Sequence, residues 1–236
     1  MIVLIAAAVL PAAFLLYQVY KMDTIEKEPW SILKKLLLWG ALSGIPAALV
    51  ESLLTGVVRN VFTEGTILYN LVFGFVVAAL VEESFKFLFL YKITFKSPDF
   101  NFRFDGVVYA VFVSMGFAIL ENVLYVFQGG MGVAVTRALL ALPLHAACGV
   151  YMGIAYGQQK VNSLYKPASF SSVARACLPT PILIHGFYDF CAFMQTELFV
   201  IIFIVFVIAV FVLTLRQLKK ASGEDRPVNE VTIDAQ

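Results

Sequence analysis

Nine ionisable side chains of this 236-residue sequence fall inside stretches that are otherwise apolar enough for a lipid bilayer. They are Glu51, Glu82, Glu83, Lys86, Glu121, Arg137, His145, His185 and Asp189. On insertion scales, an ionisable residue at the centre of a membrane helix costs about 2.5–3.5 kcal/mol. Such groups are therefore expected to face one another or water, and to mark a functional site.

Helical spacing places several of these groups beside one another. Residues four apart lie on the same face of a helix, so Lys86 is expected beside Glu82. Glu83, three residues before Lys86, can pair with the same ammonium group. The four-residue spacing also places Asp189 one turn after His185. We interpret one glutamate as the working group and the other as its charge-balanced support.

Depth along the predicted helices brings four groups to a similar level. The estimated depth below the outer end of each helix, at about 1.5 Å per residue, is roughly 21 Å for Glu82, 18 Å for His145, 14 Å for His185 and 11 Å for Glu121. A single cavity in the middle to outer half of the membrane could hold all four side chains. We predict that this cavity is open to water on the outer side.

Other polar residues have a structural alternative. Glu121 lies one turn after Phe117 and is followed by Asn122, so it could belong to the site or form a polar contact between helices. Glu51 has no close helix-spaced partner, and Arg137 lies near the predicted outer surface, where its long side chain can reach water. We interpret Glu51 and Arg137 as mainly structural.

Carboxylates and imidazoles that water can reach are the groups that hydrolysis of an amide bond needs. A carboxylate can take a proton from water, and a histidine can donate to the leaving amine or stabilise the oxyanion. Zinc is an alternative, because histidine and carboxylate are its usual ligands and the metal itself acidifies water. Its candidate ligands are His145, His185, Glu82 and Glu121. The sequence favours no cofactor and leaves a divalent metal possible.

The composition predicts an all-α, polytopic membrane helical bundle. Hydrophobic residues make up 61% of the chain and charged residues 14%, far from the balance of a soluble domain. Seven windows are long enough to cross a bilayer: 2–20, 36–58, 68–91, 106–128, 133–157, 173–194 and 198–215. Lysine and arginine concentrate in alternate loops, which predicts an N-terminus outside and a C-terminus in the cytosol.

The chain shows no internal boundary that would separate two domains. We predict a single domain over residues 1–220 and a disordered cytosolic tail over 221–236, where large apolar residues are rare. The net charge of +1 provides no basic face for nucleic acid. The predicted surroundings are membrane lipid, and the sequence carries no signal for the oligomeric state.

Signatures of several known intramembrane hydrolases are missing. Neither histidine begins an H-E-x-x-H zinc motif, since His145 is followed by AACG and His185 by GFYD. Ser114 has no glycine-rich setting to expose it, and Tyr188-Asp189 has no matching Gly-x-Gly-Asp element. A proton-coupled transporter or channel could use the same cluster of carboxylates and histidines, although no inverted repeat is visible.

Four elements, in this order, resemble the PrsW family of bacterial intramembrane proteases, which are related to the CAAX prenyl endopeptidases. They are EESFK at 82–86, DGVVYAVFVSMGFAILEN at 105–122, LPLHAACG at 142–149 and HGFYD at 185–189. The resemblance covers about residues 70–195. In the wider superfamily the second element commonly ends in histidine, whereas this sequence has Glu121, which fits the PrsW branch.

The resemblance implies a multi-pass protease of the bacterial cell membrane. Its expected activity is the site-1 cut in the extracytoplasmic part of a single-span anti-sigma factor, which leads to a response to envelope stress. Matched to the family pattern, the expected catalytic residues are Glu82, Glu83, His145, His185 and Asp189. The expected supporting residues are Lys86, Phe117, Glu121 and Asn122. Our own assignment within the pair is Glu82 as general base, with Glu83 held by Lys86.

Overall fold

Helices form nearly all of the part of the chain that the structure, a computed structural model, describes, namely residues 2–230. The elements are α1 (Ile2–Met22), α2 (Trp30–Val61), α3 (Ile67–Val72), a π-helix (Phe73–Ala79), α4 (Leu80–Thr94), α5 (Asp105–Leu139), α6 (Ala141–Asn162), α7 (Phe170–Cys177), α8 (Pro179–Met194) and α9 (Glu197–Gly223). The all-α class predicted from composition is confirmed.

Four helical stretches within residues 2–230 are long and apolar enough to cross a membrane. They are Ile2–Met22, Trp30–Val61, Asp105–Asn162 and Glu197–Gly223. The third contains α5 and α6 together, and so includes two of the seven predicted windows. The window 68–91 is divided among α3, the π-helix and α4, which are each shorter than a full span. The window 173–194 is divided between α7 and α8, which are each shorter than a full span.

The first half of α5 is the centre of the bundle. Residues 105–118 are all buried, as expected for a helix that is apolar on every side and enclosed by neighbours. Glycines allow α6 to approach it closely. A Cβ atom added to Gly153 would lie 2.4 Å from the Cα of Val107, which is too close for any side chain. The rigid contact between α5 and α6 fixes the position of His145 on α6.

The helix that carries the glutamate pair changes its winding just before them. The chain is π-helical from Phe73 to Ala79 and returns to α-helix at Leu80; such π segments are frequent at functional sites. Helix α8 packs closely here, because a Cβ atom on Gly74 would lie only 2.9 Å from the carbonyl oxygen of Gly186. This close approach brings His185 to the first turn of α4.

Two further breaks shape the bundle. Gly130 has φ 71° and ψ −158°, so α5 consists of two helical segments joined at this residue; only glycine adopts this conformation without strain. The gap between the predicted windows 106–128 and 133–157 contains Gly130, whereas the boundary between α5 and α6 at Leu140 falls inside the second window. Pro179 begins α8 directly after α7 ends, in agreement with the preference of proline for the first turn of a helix.

The segment after α9 packs on the loop between α4 and α5. The Val228 amide donates to the carbonyl of Asn101 at 2.7 Å, and Asp225 Oδ1 accepts from the Phe104 amide at 2.8 Å. Phe102 and Pro227 form an isolated β-bridge. The prediction of disorder from residue 221 is therefore wrong for residues 221–230, because backbone pairing supplies contacts that their composition does not indicate. Residues 231–236 lie outside the described part.

Candidate active site

A cavity of about 440 Å³ lies between the helices and contains most of the predicted site residues. Its charged and imidazole lining consists of Glu51, Glu82, Glu121, Arg137, His145, His185 and Asp189. These side chains come from α2, α4, α5, α6 and α8. The predicted convergence of groups from separate helices on one cavity is therefore present in the structure.

Lys86 lies at the centre of the polar cluster and is fully buried. Its Nζ is 3.0 Å from Glu82 Oε2, 2.8 Å from Glu83 Oε1 and 3.0 Å from His145 Nδ1. The same ammonium lies 4.3 Å from the ring centroid of Phe117. An ammonium has three donors, so the two carboxylates and the imidazole use all of them. Lys86 therefore compensates the charge of the glutamate pair and fixes His145.

His185 turns one nitrogen toward the cluster and the other toward the cavity. Its Nδ1 lies 2.9 Å from Glu83 Oε1; because an ionised carboxylate only accepts, the hydrogen belongs to Nδ1. Its Nε2 lies 3.4 Å from Asp189 Oδ2 and 4.0 Å from Glu82 Oε2. Glu83 thus orients the imidazole, and the free nitrogen faces the space beside Glu82.

His145 uses both ring nitrogens inside the protein. Nδ1 accepts from the ammonium of Lys86, so Nε2 carries the hydrogen and donates to Glu121 Oε2 at 3.0 Å. This histidine therefore connects the glutamate pair to Glu121. Its hydrogen-bonding pattern favours a positioning role, in contrast to His185, whose Nε2 faces the cavity.

Arg137 completes the network, although the sequence led us to expect a mainly structural residue. Its Nη2 donates to Glu121 Oε2 at 2.7 Å, and its Nε donates to Asn122 Oδ1 at 2.9 Å. The Nδ2 of Asn122 also donates to the carbonyl of Ala8 at 2.7 Å. No pattern in the sequence indicates this role, because Arg137 lies beyond the break at Gly130 and far from any helix-spaced partner.

Four ligand groups lie close enough together to hold a metal ion. One potential ligand atom from each of Glu82, Glu83, His145 and His185 lies within 4.8 Å of all the others, and these donor types suit zinc. Glu83 Oε2 is buried without a hydrogen-bond partner in the described chain. The four ligand groups therefore fit a metal ion in type and spacing, but the ammonium of Lys86 contacts three of them, Glu82, Glu83 and His145. Glu121, a ligand candidate from sequence, is not part of this group.

Comparisons with known proteins identify the family of the chain. Residues 28–215 match the profile of the PrsW family intramembrane metalloproteases. A "Protease PrsW" of Geobacillus kaustophilus is 33% identical over 228 residues, which cover 95% of this chain and 94% of the relative. Proteins of the same name from Clostridioides difficile and Bacillus subtilis are each 31% identical, over 225 and 190 residues. These alignments cover 94% and 80% of this chain, and 92% and 83% of the two relatives.

No solved structure matches the chain significantly. The resemblance inferred from four short elements is confirmed by matches that extend over most of the sequence. The family assignment does not favour the transporter alternative. The chain belongs to the PrsW family and is a multi-pass intramembrane protease of the bacterial cell membrane.

Proposed function

We propose that this protease cuts a single-span membrane protein, such as an anti-sigma factor, in its extracytoplasmic part next to the membrane. One observation carries the proposal: Glu82 and the Nε2 of His185, 4.0 Å apart, face the same cavity. A water molecule and a peptide carbonyl in that space could contact both groups. Such a site requires an extended substrate, so the segment next to the span is the natural target.

The surroundings of the glutamate pair support Glu82 as the general base. Glu82 lines the cavity, whereas Glu83 is fully buried behind it and accepts from Lys86 and His185. A general base must come within hydrogen-bond reach of the water that it activates. Glu83 then serves as a positioning residue, which holds His185 and shares the charge of Lys86.

The proposed reaction is hydrolysis in two steps. Glu82 takes one proton from water while the water oxygen attacks the peptide carbonyl carbon. In this step His185 is an imidazolium, with Nδ1–H on Glu83 and Nε2–H on the cavity side, and its Nε2–H donates a hydrogen bond to the developing oxyanion. The tetrahedral intermediate then collapses as the C–N bond breaks. Glu82 passes its proton to the leaving nitrogen, so the products are a carboxylic acid and an amine. Asp189 keeps the imidazole of His185 aimed at the cavity.

A divalent metal would be held by Glu82, Glu83, His145 and His185. When bound there, it would supply a Lewis acid that acidifies water and polarises the carbonyl. The position of Lys86 supports the glutamate-type reaction, since its ammonium already neutralises the donors that a cation would need. A dication beside that ammonium would be repelled unless the lysine moved away.

The proposed topology has seven crossings, with the N-terminus outside and the C-terminus in the cytosol. Lys92 lies in the last turn of α4 and Lys96 and Arg103 follow that helix. Near the end of α9 lie Arg216, Lys219 and Lys220. Both groups are expected on the cytosolic side. The cavity would then open toward the outside, where the proposed substrate segment lies.

Purified full-length protein in detergent or liposomes would test the proposal against a single-span anti-sigma factor. We expect cleavage at one bond, with both new termini identified by mass spectrometry, and retention of activity after treatment with a strong chelator. His185→Ala should lose most of the activity. Glu64→Gln, at an exposed carboxylate, is the matched control and should cut normally. Activity that disappears with the chelator and returns with zinc would reject the glutamate-type reaction.

A further inference from the structure

One carboxylate of the cavity has no partner in the part of the chain that the structure describes. Glu51 lines the cavity from α2, and its Oε1 is buried without a hydrogen-bond partner among residues 2–230. No ion pair within that part of the chain includes Glu51. An unsatisfied buried acceptor costs about 1–3 kcal/mol, and more when it is charged. This cost indicates that a bound molecule supplies the missing partner.

The other charged groups of the cavity are already matched. Glu82 accepts from Lys86, and Glu121 accepts from Arg137 at 2.7 Å. Asp189 lies 3.4 Å from the Nε2 of His185. Glu51 is therefore the carboxylate of the lining that lacks a partner among residues 2–230, and a ligand that carries a positive charge would supply one.

The face of α2 that carries Glu51 has room for an extended peptide. Gly44, Ala48 and Glu51 are spaced by four and three residues, so they share one helix face, and all three line the cavity. The first two positions have minimal side chains, which leave space along the helix before the carboxylate is reached. A substrate segment lying on this face would meet Glu51 at its end.

The helix ends give the difference in depth between Glu51 and the proposed base. Val61 at the end of α2 and Ile67 at the start of α3 lie at the same end of the bundle. Glu51 lies ten residues before Val61, and Glu82 lies fifteen residues after Ile67. At about 1.5 Å per residue, their depths are about 15 and 22 Å. The difference of about 7 Å corresponds to about two residues of an extended chain.

We propose that Glu51 forms a specificity subsite for a lysine or arginine side chain of the substrate, about two residues from the bond that is cut. This inference rests on the proposed function, because it uses the same cavity. A cationic side chain would form a charge-assisted hydrogen bond with the carboxylate, and such bonds are roughly twice as strong as neutral ones. The protease would therefore select among single-span proteins by a basic residue near the membrane.

A panel of single-span substrates tests the subsite. Each substrate carries lysine, glutamine or glutamate at one of the three positions on either side of the cleaved bond. We expect wild type to cut the best lysine substrate with a kcat/KM about ten-fold above that of its glutamine counterpart. Glu51→Gln should remove this preference, so that the lysine and glutamine substrates are cut with equal kcat/KM. Glu51→Lys should transfer the preference to glutamate, whereas Glu64→Gln should behave as wild type.

Binding to an inactive protein separates this inference from the proposed function. In a Glu82→Gln background, a fluorescent lysine peptide should bind about ten-fold more tightly than the glutamine peptide, and adding Glu51→Gln should abolish the difference. The proposed subsite would be rejected if the two peptides bound equally tightly. It would also be rejected if replacing Glu51 caused an equal loss of affinity for both. Failure of wild type to cut any substrate, together with selective binding, would overturn the proposed function alone.

Discussion

Glu82 and Glu83 are adjacent in sequence, but they have different surroundings. Glu83 is fully buried, and its Oε1 accepts from Lys86 at 2.8 Å and from His185 at 2.9 Å. Glu82 shares the same lysine and also lines the cavity. Replacing Glu83 by a neutral residue is therefore expected to lower mainly the stability of the fold, whereas replacing Glu82 is expected to lower mainly the rate of cleavage.

Glu83→Gln should lower the free energy of unfolding by about 1–3 kcal/mol, because it weakens two buried charged hydrogen bonds. Glu82→Gln should stay close to wild type in stability, since Glu83 still compensates Lys86. Thermal denaturation of both variants in the same detergent measures the difference. Equal stability of Glu83→Gln and wild type would contradict the positioning role of Glu83.

Pairs within one helix could be predicted from sequence, whereas contacts between helices could not. The spacing of Lys86 and the glutamates fixes their contact once the segment is helical. The contact of His185 with Glu83 depends on the rotation and close packing of α8, which a single sequence does not determine. The same limitation explains why Arg137 and Glu51 were interpreted as structural.

Glycine contacts between helices set the positions of the side chains that line the cavity. Gly153→Ala would place a Cβ atom 2.4 Å from the Cα of Val107, and backbone atoms cannot move away easily. Helices α5 and α6 should move apart, so that both the temperature of thermal denaturation and the rate of cleavage fall. Gly56→Ala is the matched control, because no atom lies within 4 Å of its added Cβ. Normal stability of Gly153→Ala would show that the helices do not pack as described.

The segment after Gly130 carries Arg137 back to the site. Arg137→Gln removes the ion pair with Glu121, so Glu121 and His145 lose a fixed orientation. We expect kcat to fall about ten-fold with little change in KM, because a positioning defect acts on the reacting groups. Arg59→Gln, at an exposed ion pair, should leave kcat unchanged. A selective rise in KM would instead indicate that Arg137 binds the substrate.

Helix boundaries were the least predictable part of the elements. The apolar windows located most of the helices, and the gap between two of them contains Gly130. They missed the boundary between α5 and α6 at Leu140 and the separation of α7 from α8, because the residues around both breaks are apolar. The π-helix before Glu82 was likewise not expected, because its residues are as apolar as those of an ordinary helix.

At the scale of the whole molecule, buried acids lie where the loop after α1 meets the rest of the bundle. Asp23 and Glu28 are almost fully buried, and the hydroxyl of Tyr109 donates to Glu28. Burial raises the pKa of Asp23 to about 6, despite the opposing charge of Lys27. Burial also raises the pKa of Glu28 to about 7, although its hydrogen bond with Tyr109 acts in the opposite direction.

These shifts predict that stability falls as the pH rises. Because the folded pKa values exceed those of the unfolded chain, the folded state binds more protons between about pH 4 and pH 7. The stabilisation is present below pH 4 and is lost as the pH passes 6 to 7. Thermal denaturation should therefore occur at a lower temperature at pH 8 than at pH 5.5, and Asp23→Asn should reduce the difference. A higher denaturation temperature at pH 8 would contradict this account.

The rate of peptide-bond cleavage in Glu82→Gln tests the central claim most directly. It is best measured in single turnover, with wild type as reference and with substrate binding determined separately. The account predicts a loss of about 100-fold or more in rate at unchanged binding, because the isosteric amide cannot accept the proton of water. Cleavage at the wild-type rate by well-folded Glu82→Gln would contradict it.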